Sequence, residues 1–258
     1  MFCESETGSP QELKRNIKLL LAYDGTGFSG WQRQAKERTV QELVEKALEK
    51  LHKAPVALTG SGRTDTGVHA AGQVANFYTS IRNMEAWRFV PALNSLLPRD
   101  IRILRAEETR PDFHSRFDAK LRTYRYFFIT RREVLPWELR YAWQLKGHPG
   151  LRQLNEYARL FRGEMDFTAF AVPGDKSKSR HRYIEGASFF IEGDKLVFEI
   201  SANAFLWKMV RSIAGTLLRF DEQGLPSSYL REVIESGNRK LTGPTAPPQG
   251  LFLWKVEF

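Results

Sequence analysis

Two hydrophobic periods alternate along this chain. Residues 16–23 (NIKLLLAY) form a largely apolar run of strand length. After a glycine-rich and then charged connection, Val40, Leu43, Val44, Ala47, Leu48 and Leu51 recur at helical spacing. Thr39 and Glu42 spell a capping box, with Thr39 as N-cap and Glu42 reaching back to it, and Pro55 stops the helix. Strands are predicted over 56–60 and 73–79, separated by a second glycine-rich loop, GSGRTDTGVHAAG. Further on, the spacing predicts a helix over 85–97, strands over 101–107 and 120–130, and a helix over 151–162. A charged loop, 173–182, precedes strands over 183–191 and 195–201. Helices over 204–220 and 227–236 and a terminal strand, GLFLWKVEF, complete the pattern.

This order of β-α-β followed by a similar mixture argues for α+β rather than a doubly wound parallel sheet. Two comparable halves, 16–110 and 111–258, are expected, with a mainly antiparallel arrangement. No low-complexity linker separates them, so they should share a sheet or pack closely. Residues 1–15 read as a polar, disordered tail.

Composition narrows the classes. With 258 residues and 42% hydrophobic content, the chain can fill a sizeable core. No run approaches the ~20 apolar residues of a membrane span. The single cysteine, Cys3, excludes a disulfide within the chain and fits a reducing cytoplasm. Five scattered histidines show no zinc-like spacing, so no metal is expected. Lys and Arg total 39 against 30 acids, a net charge of +9 that favours polyanionic partners.

Two glycine loops compete as chemical sites. Gly25 to Gly30 matches G-x-G-x-x-G after a strand, the dinucleotide-binding pattern. That site needs a helix opening at the loop so that its N-terminus meets the pyrophosphate. Here the cap comes only at Thr39, so nicotinamide binding is disfavoured. The alternatives are a turn whose Phe28 and Trp31 pack on the sheet, or a loop showing Gln32 and Arg33 to a ligand. The second loop sets Arg63-Thr64-Asp65-Thr66 among Gly60, Gly62, Gly67 and Gly72. Such glycine density lets a backbone approach a ligand closely. It lacks the Gly-Lys-Ser/Thr of a P-loop and the alternating acids of an EF-hand. Asp65-Thr66-Gly67 is an aspartic-protease triplet, but no second copy exists to share a proton, and Arg63 opposes such sharing. An Asx-turn is the bland alternative.

Residues 113–132 hold six Lys/Arg and six Phe/Tyr with one Asp. Strand alternation puts Arg122, Tyr124, Tyr126 and Phe128 on one face and Thr123, Arg125 and Phe127 on the other. Arginine beside tyrosine suits gripping phosphate and stacking a base; an ordinary strand with charges outside is the competing account. Arg211, inside the apolar stretch 204–220, needs either a carboxylate or phosphate partner or a path to water. The basic loop 175–182 is expected to lie against RNA backbone or simply to be solvated.

In their order, several motifs resemble the tRNA pseudouridine synthase A (TruA) family. They are YDGTGFSGWQRQ (23–34), TVQELVEKAL (39–48), GSGRTDTGVHA (60–70), NSLLPRDIRI (94–103), RFDAKLRTYRY (116–126), FLWKMVRSIAG (205–215) and PPQGLFLWKVEF (247–258). Thr66 stands where the family usually has Ala, and Met165 where many members have His. The resemblance implies two ferredoxin-like halves with joined sheets, helices on one side and a basic cleft between. It implies Asp65 as the essential catalytic aspartate and Tyr124 as the ring that stacks on the target base. Arg211 falls on the residue pairing with the aspartate, and Arg63 on the arginine that fills the space left by the flipped base. It further implies a homodimer without cofactor or metal, acting on neighbouring uridines on the 3′ side of the tRNA anticodon stem-loop. Two rivals remain from other classes: a non-catalytic RNA-binding module and a nicotinamide oxidoreductase. Release of the C5 proton separates the first from an enzyme, and a cofactor titration decides the second.

Overall fold

The computed structural model describes residues 15–258. The expected tail, 1–15, and Cys3 lie outside the described residues, except that Arg15 opens the first strand. The first half runs β1 (Arg15–Tyr23), α1 (Val40–His52), β2 (Thr59–Gly60), β3 (His69–Thr79), α2 (Phe89–Leu96) and β4 (Ile101–Thr109). The second runs β5 (Leu121–Ile129), β6 (Trp143–Gln144), α3 (Leu151–Arg159), β7 (Gly163–Asp166), β8 (His181–Glu192), β9 (Lys195–Ala202), α4 (Met209–Glu222), α5 (Ser227–Ser236) and β10 (Leu251–Glu257). All strands belong to one sheet with the order β4-β1-β3-β10-β5-β9-β8-β7; β2 pairs with β3, and β6 with β5. The chain is therefore α+β, with a mixed, mainly antiparallel sheet.

The two parts of the sheet meet at one short seam. β10 pairs in parallel with β3 through Phe252 opposite His69 and Leu253 opposite Ala70. On its other side Leu253 is opposite Tyr124 of β5. Ala70, Leu253 and Tyr124 thus lie in register across three strands. Two strand spacings of about 4.8 Å each separate the outer two backbones. The seam brings the segment just after the Asp65 loop beside the basic aromatic strand.

Burial explains why these segments form these elements. Ile17, Leu19 and Leu21 of β1 are buried on alternate positions, as are Tyr124, Tyr126 and Phe128 of β5. In α1, Val40, Val44, Ala47 and Leu48 form the buried stripe. α1 packs against α2, and α3 against α4 and α5. α4 is buried along nearly its whole length.

Three local expectations are corrected, and two short strands are added. The capping box does not form: Thr39 is the N-cap but makes no side-chain cap bond, and Glu42 pairs with Lys46. Two N–H groups of the first turn, which a capping box would not use, donate to the preceding loop: Val40 to Gly30 O (3.3 Å) and Gln41 to Trp31 O (3.0 Å). The strand expected over 56–60 shrinks to two residues. Side chains of α1 take its hydrogen bonds: Leu58 N–H donates to Glu45 Oε1 and Leu58 O accepts from Gln41 Nε2. The helix expected from 204 starts only at Met209, because Lys208 is left-handed (φ 59°) and Trp207 N–H is held by Asp175. Finally, β6 and β7 have no counterpart in the hydropathy pattern.

Candidate active site

The Asp65 loop is built on the first glycine loop. Trp31 N–H donates to Thr64 O (3.1 Å), Gly67 N–H to Phe28 O (3.2 Å), and Val68 N–H to Asp65 O (3.1 Å). Gly30 has φ +90°, and a Cβ there would stand 2.5 Å from Thr64 O. A Cβ on Gly25 would stand 2.1 Å from Val68 O. Both positions demand glycine, because one backbone lies directly on the other. The G-x-G-x-x-G stretch is thus a bed for the second loop. Phe28 and Trp31 are buried, as the packing alternative holds. Gln32 is tied to Gln41, and Arg33 to Glu45.

Further bonds fix the loop at both ends. Tyr23 Oη and Thr64 Oγ1 are 2.8 Å apart. Ser61 Oγ donates to Gln73 Oε1, and Gln73 Nε2 donates to Gly62 O. His69, fully buried, accepts at Nδ1 from Gly25 N–H (3.0 Å). Its Nε2 faces the carbonyls of Arg140 and Gln249, both at 3.1 Å, and so carries the proton. Burial holds the His69 pKa below its ordinary value, against the opposing pull of Asp24.

Asp65 meets Arg211 from the distant helix. Arg211 Nη1 donates to Asp65 Oδ2 at 3.0 Å, and Nε donates to Ala246 O at 2.8 Å. The side chains are 12% and 19% exposed, so the pair is largely desolvated yet open to the cleft. Arg211 sits in the first turn of α4, where a cation opposes the helix dipole and a carboxylate partner offsets it. The partner reading of Arg211 therefore holds over the snorkelling one.

Tyr124 lines the same cleft and packs edge-on against Phe205, with ring centres 5.1 Å apart. Burial, then the charge of Asp65, push its phenol above the usual range, with Arg122 opposing. Tyr124 is therefore a neutral ring. Arg63 is exposed on the wall, and among the described residues no hydrogen bond or ion pair holds its side chain. All four sequence-predicted residues thus share one cleft of about 1610 Å³.

Other arginines differ from expectation. Arg122 donates to four backbone carbonyls, those of Ser61, Ala119, Asn203 and Arg116, so it fastens the cleft wall rather than gripping phosphate. Arg125, on the other face, pairs with Glu199 and Glu192 and stacks on Trp254. In the basic loop, Arg180 pairs with Asp175. Phe205 and Asp175 shape the cleft without being marked by any spacing rule. The one signal was Asp175 itself, an acid set before a run of cations.

The geometry is that of a cleft with mixed polar and apolar walls, a carboxylate–guanidinium pair at a seam and a buried tyrosine beside it. Among the described residues no group of His, Cys, Asp and Glu is arranged to hold a metal ion, and no helix is long and apolar enough to cross a membrane. Comparison with known proteins identifies the lineage. Residues 20–118 and 157–258 match the family model described as tRNA pseudouridine synthase. The chain is 53% identical to tRNA pseudouridine synthase A of Treponema denticola, over 95% of this chain and 93% of the relative. It is 47% identical to the enzyme of that name from Treponema pallidum, over 89% and 84% of the two chains. It is 43% identical to tRNA pseudouridine synthase A 2 of Clostridium perfringens, over 94% and 99%. The chain that builds this cleft belongs to the tRNA pseudouridine synthase A family of isomerases.

Proposed function

We propose that this enzyme isomerises uridine to pseudouridine in the anticodon stem-loop of tRNA, at neighbouring uridines on its 3′ side, with Asp65 as the catalytic carboxylate. The observation that carries the reading is the 3.0 Å contact between Asp65 and Arg211 inside the cleft. The strand order of each half, with β2 beside β3 and β8 beside β9, supports reading residues 16–110 and 111–258 as two ferredoxin-like units joined at β3 and β10. A homodimer in the cytoplasm is the working form of this proposal.

In the reaction the C1′–N1 bond breaks, uracil turns, C5 bonds to C1′, the C5 proton leaves and N1 gains a proton. The product is an isomer, so no outside reactant is consumed. The target base must first leave its stack, at a cost of a few kcal/mol. Tyr124 offers a neutral ring to receive it, and Arg63 fills the gap left in the RNA. Asp65 acts on the ribose, either attacking C1′ or taking a proton that it later returns. Arg211 fixes the carboxylate's orientation, since its second bond to Ala246 O anchors the guanidinium.

The test is tritium release from C5-labelled uridine in tRNA. Asp65→Asn should lower release by at least about 10²-fold, the smaller end for one acid–base group, while tRNA still binds. Wild-type release from the variant would refute the assignment. No release from the unmodified protein would leave only an RNA-binding module.

A further inference from the structure

Two exposed aromatic side chains on this cleft, Phe117 and Trp207, are unexplained by the reaction above; Phe117 already stacks on His114, at 4.3 Å between ring centres. Trp207 lines the cleft and is 46% exposed, although most large rings of the chain are buried. It lies four residues before Arg211, the partner of Asp65. Its setting is rigid. Trp207 N–H donates to Asp175 Oδ2 at 2.6 Å. The Asp175 side chain, 2% exposed, also accepts from Ser177 N–H and pairs with Arg180 at 3.2 Å. Gly174 lies under the ring, where a Cβ would be 3.5 Å from Cζ3. The following residue, Lys208, holds a left-handed backbone that side chains other than glycine rarely adopt. Its Nζ stands 4.5 Å from the centre of the Trp207 ring.

The basic loop therefore packs beside this indole and fixes the backbone that carries it. A half-bare tryptophan on a fixed backbone, with a cation beside it, suits a nucleobase and the phosphate next to it. Space agrees: at about 1610 Å³ the cleft exceeds the roughly 300–1,000 Å³ of a site for one small ligand. The target base, on Tyr124, does not fill it. We propose that Trp207 is a stacking platform for a second nucleobase, one that flanks the target uridine in the RNA, with Lys208 beside its phosphate. This rests on the RNA reading of the cleft, though not on the chemistry assigned to Asp65.

The test uses anticodon stem-loop hairpins carrying 2-aminopurine at one position at a time on either side of the target uridine. With the wild-type protein, fluorescence at one position should be quenched on binding. Trp207→Ala should abolish that quenching and raise Kd by about tenfold or more. Trp207→Phe should restore both, which a merely structural role would not give. Wild-type quenching at every position in Trp207→Ala overturns the proposal. So does a changed sedimentation coefficient of the free Trp207→Ala protein, since the ring would then belong to a contact between copies of the chain. Trp207-dependent quenching without tritium release by the wild type would sink the isomerase reading and leave the platform standing.

Discussion

Arg211 shows how much one side chain coordinates. Its guanidinium spans two acceptors from different segments, Asp65 Oδ2 and Ala246 O. A lysine has the charge but not the fork, so it cannot hold both with one geometry. Hydrogen bonds to charged groups contribute about 1.5–3 kcal/mol. Arg211→Lys should therefore slow single-turnover tritium release by roughly ten- to a hundredfold, a factor of ten being about 1.4 kcal/mol, with tRNA Kd changing far less. An equal loss in Kd and in rate would mean that Arg211 serves binding rather than orientation. Tyr124 complements it in the proposed reaction, where a neutral buried ring would offer shape and stacking surface.

At the scale of elements, the decisive contact is between two loops. Gly25 to Gly30 carries a fingerprint suited to a nucleotide, yet its backbone is spent on supporting residues 64–68. Gly30→Ala should then do more than remove flexibility. It places a Cβ at φ +90° and 2.5 Å from Thr64 O, so either loop must shift. Strain and overlap together should cost about 2–3 kcal/mol, which in a chain of this size lowers Tm by roughly 4–12 °C. Thermal melts followed by circular dichroism, with tritium release on the folded fraction, check both consequences. An unchanged melt with full release would show that the bed is not required. Conversely, nicotinamide titration of the wild type should show no binding, since α1 starts at Val40 and its first N–H groups are already taken.

For the whole molecule, the shortest pairing along the main path of the sheet is the seam between β3 and β10. Parallel pairing there involves only two residue pairs, and His69 adds bonds to Gly25 on one side and to Arg140 and Gln249 on the other. Phe252 stacks on it at 4.5 Å. The groups facing this imidazole are Asp24, Tyr141 and Arg140. Burial disfavours the charged imidazole, so its folded pKa lies below the unfolded value of about 6.5. On acidification the unfolded chain takes up the proton first, and stability falls as pH drops through about 6.5 until the folded pKa is passed. Tm should accordingly decline from pH 7 to pH 5, and His69→Gln should flatten that part of the slope while lowering Tm at pH 7. A slope indifferent to the substitution would exclude His69 as its source.

What the sequence determined by itself is local or compositional. Hydrophobic period placed β1, α1, β5 and α5 closely, because burial of one face is written into residue spacing. Glycine density marked the Asp65 loop, and the motif series pointed to the family that the relatives then established. Other features were decided only by tertiary structure, because they depend on atoms far apart in the chain. Thr39 makes no capping box, Glu42 pairing with Lys46 instead, and residues 56–58 lost a strand to side chains of α1. Residues 204–208 lost a helix to Asp175, a residue some thirty positions earlier. Arg122, which the strand pattern offered to phosphate, is consumed by four carbonyls. The pairing of Asp65 with Arg211 spans 146 positions and exists because β10 returns between β3 and β5. Local spacing carries no information about such a return; it arises from closure of the shared sheet.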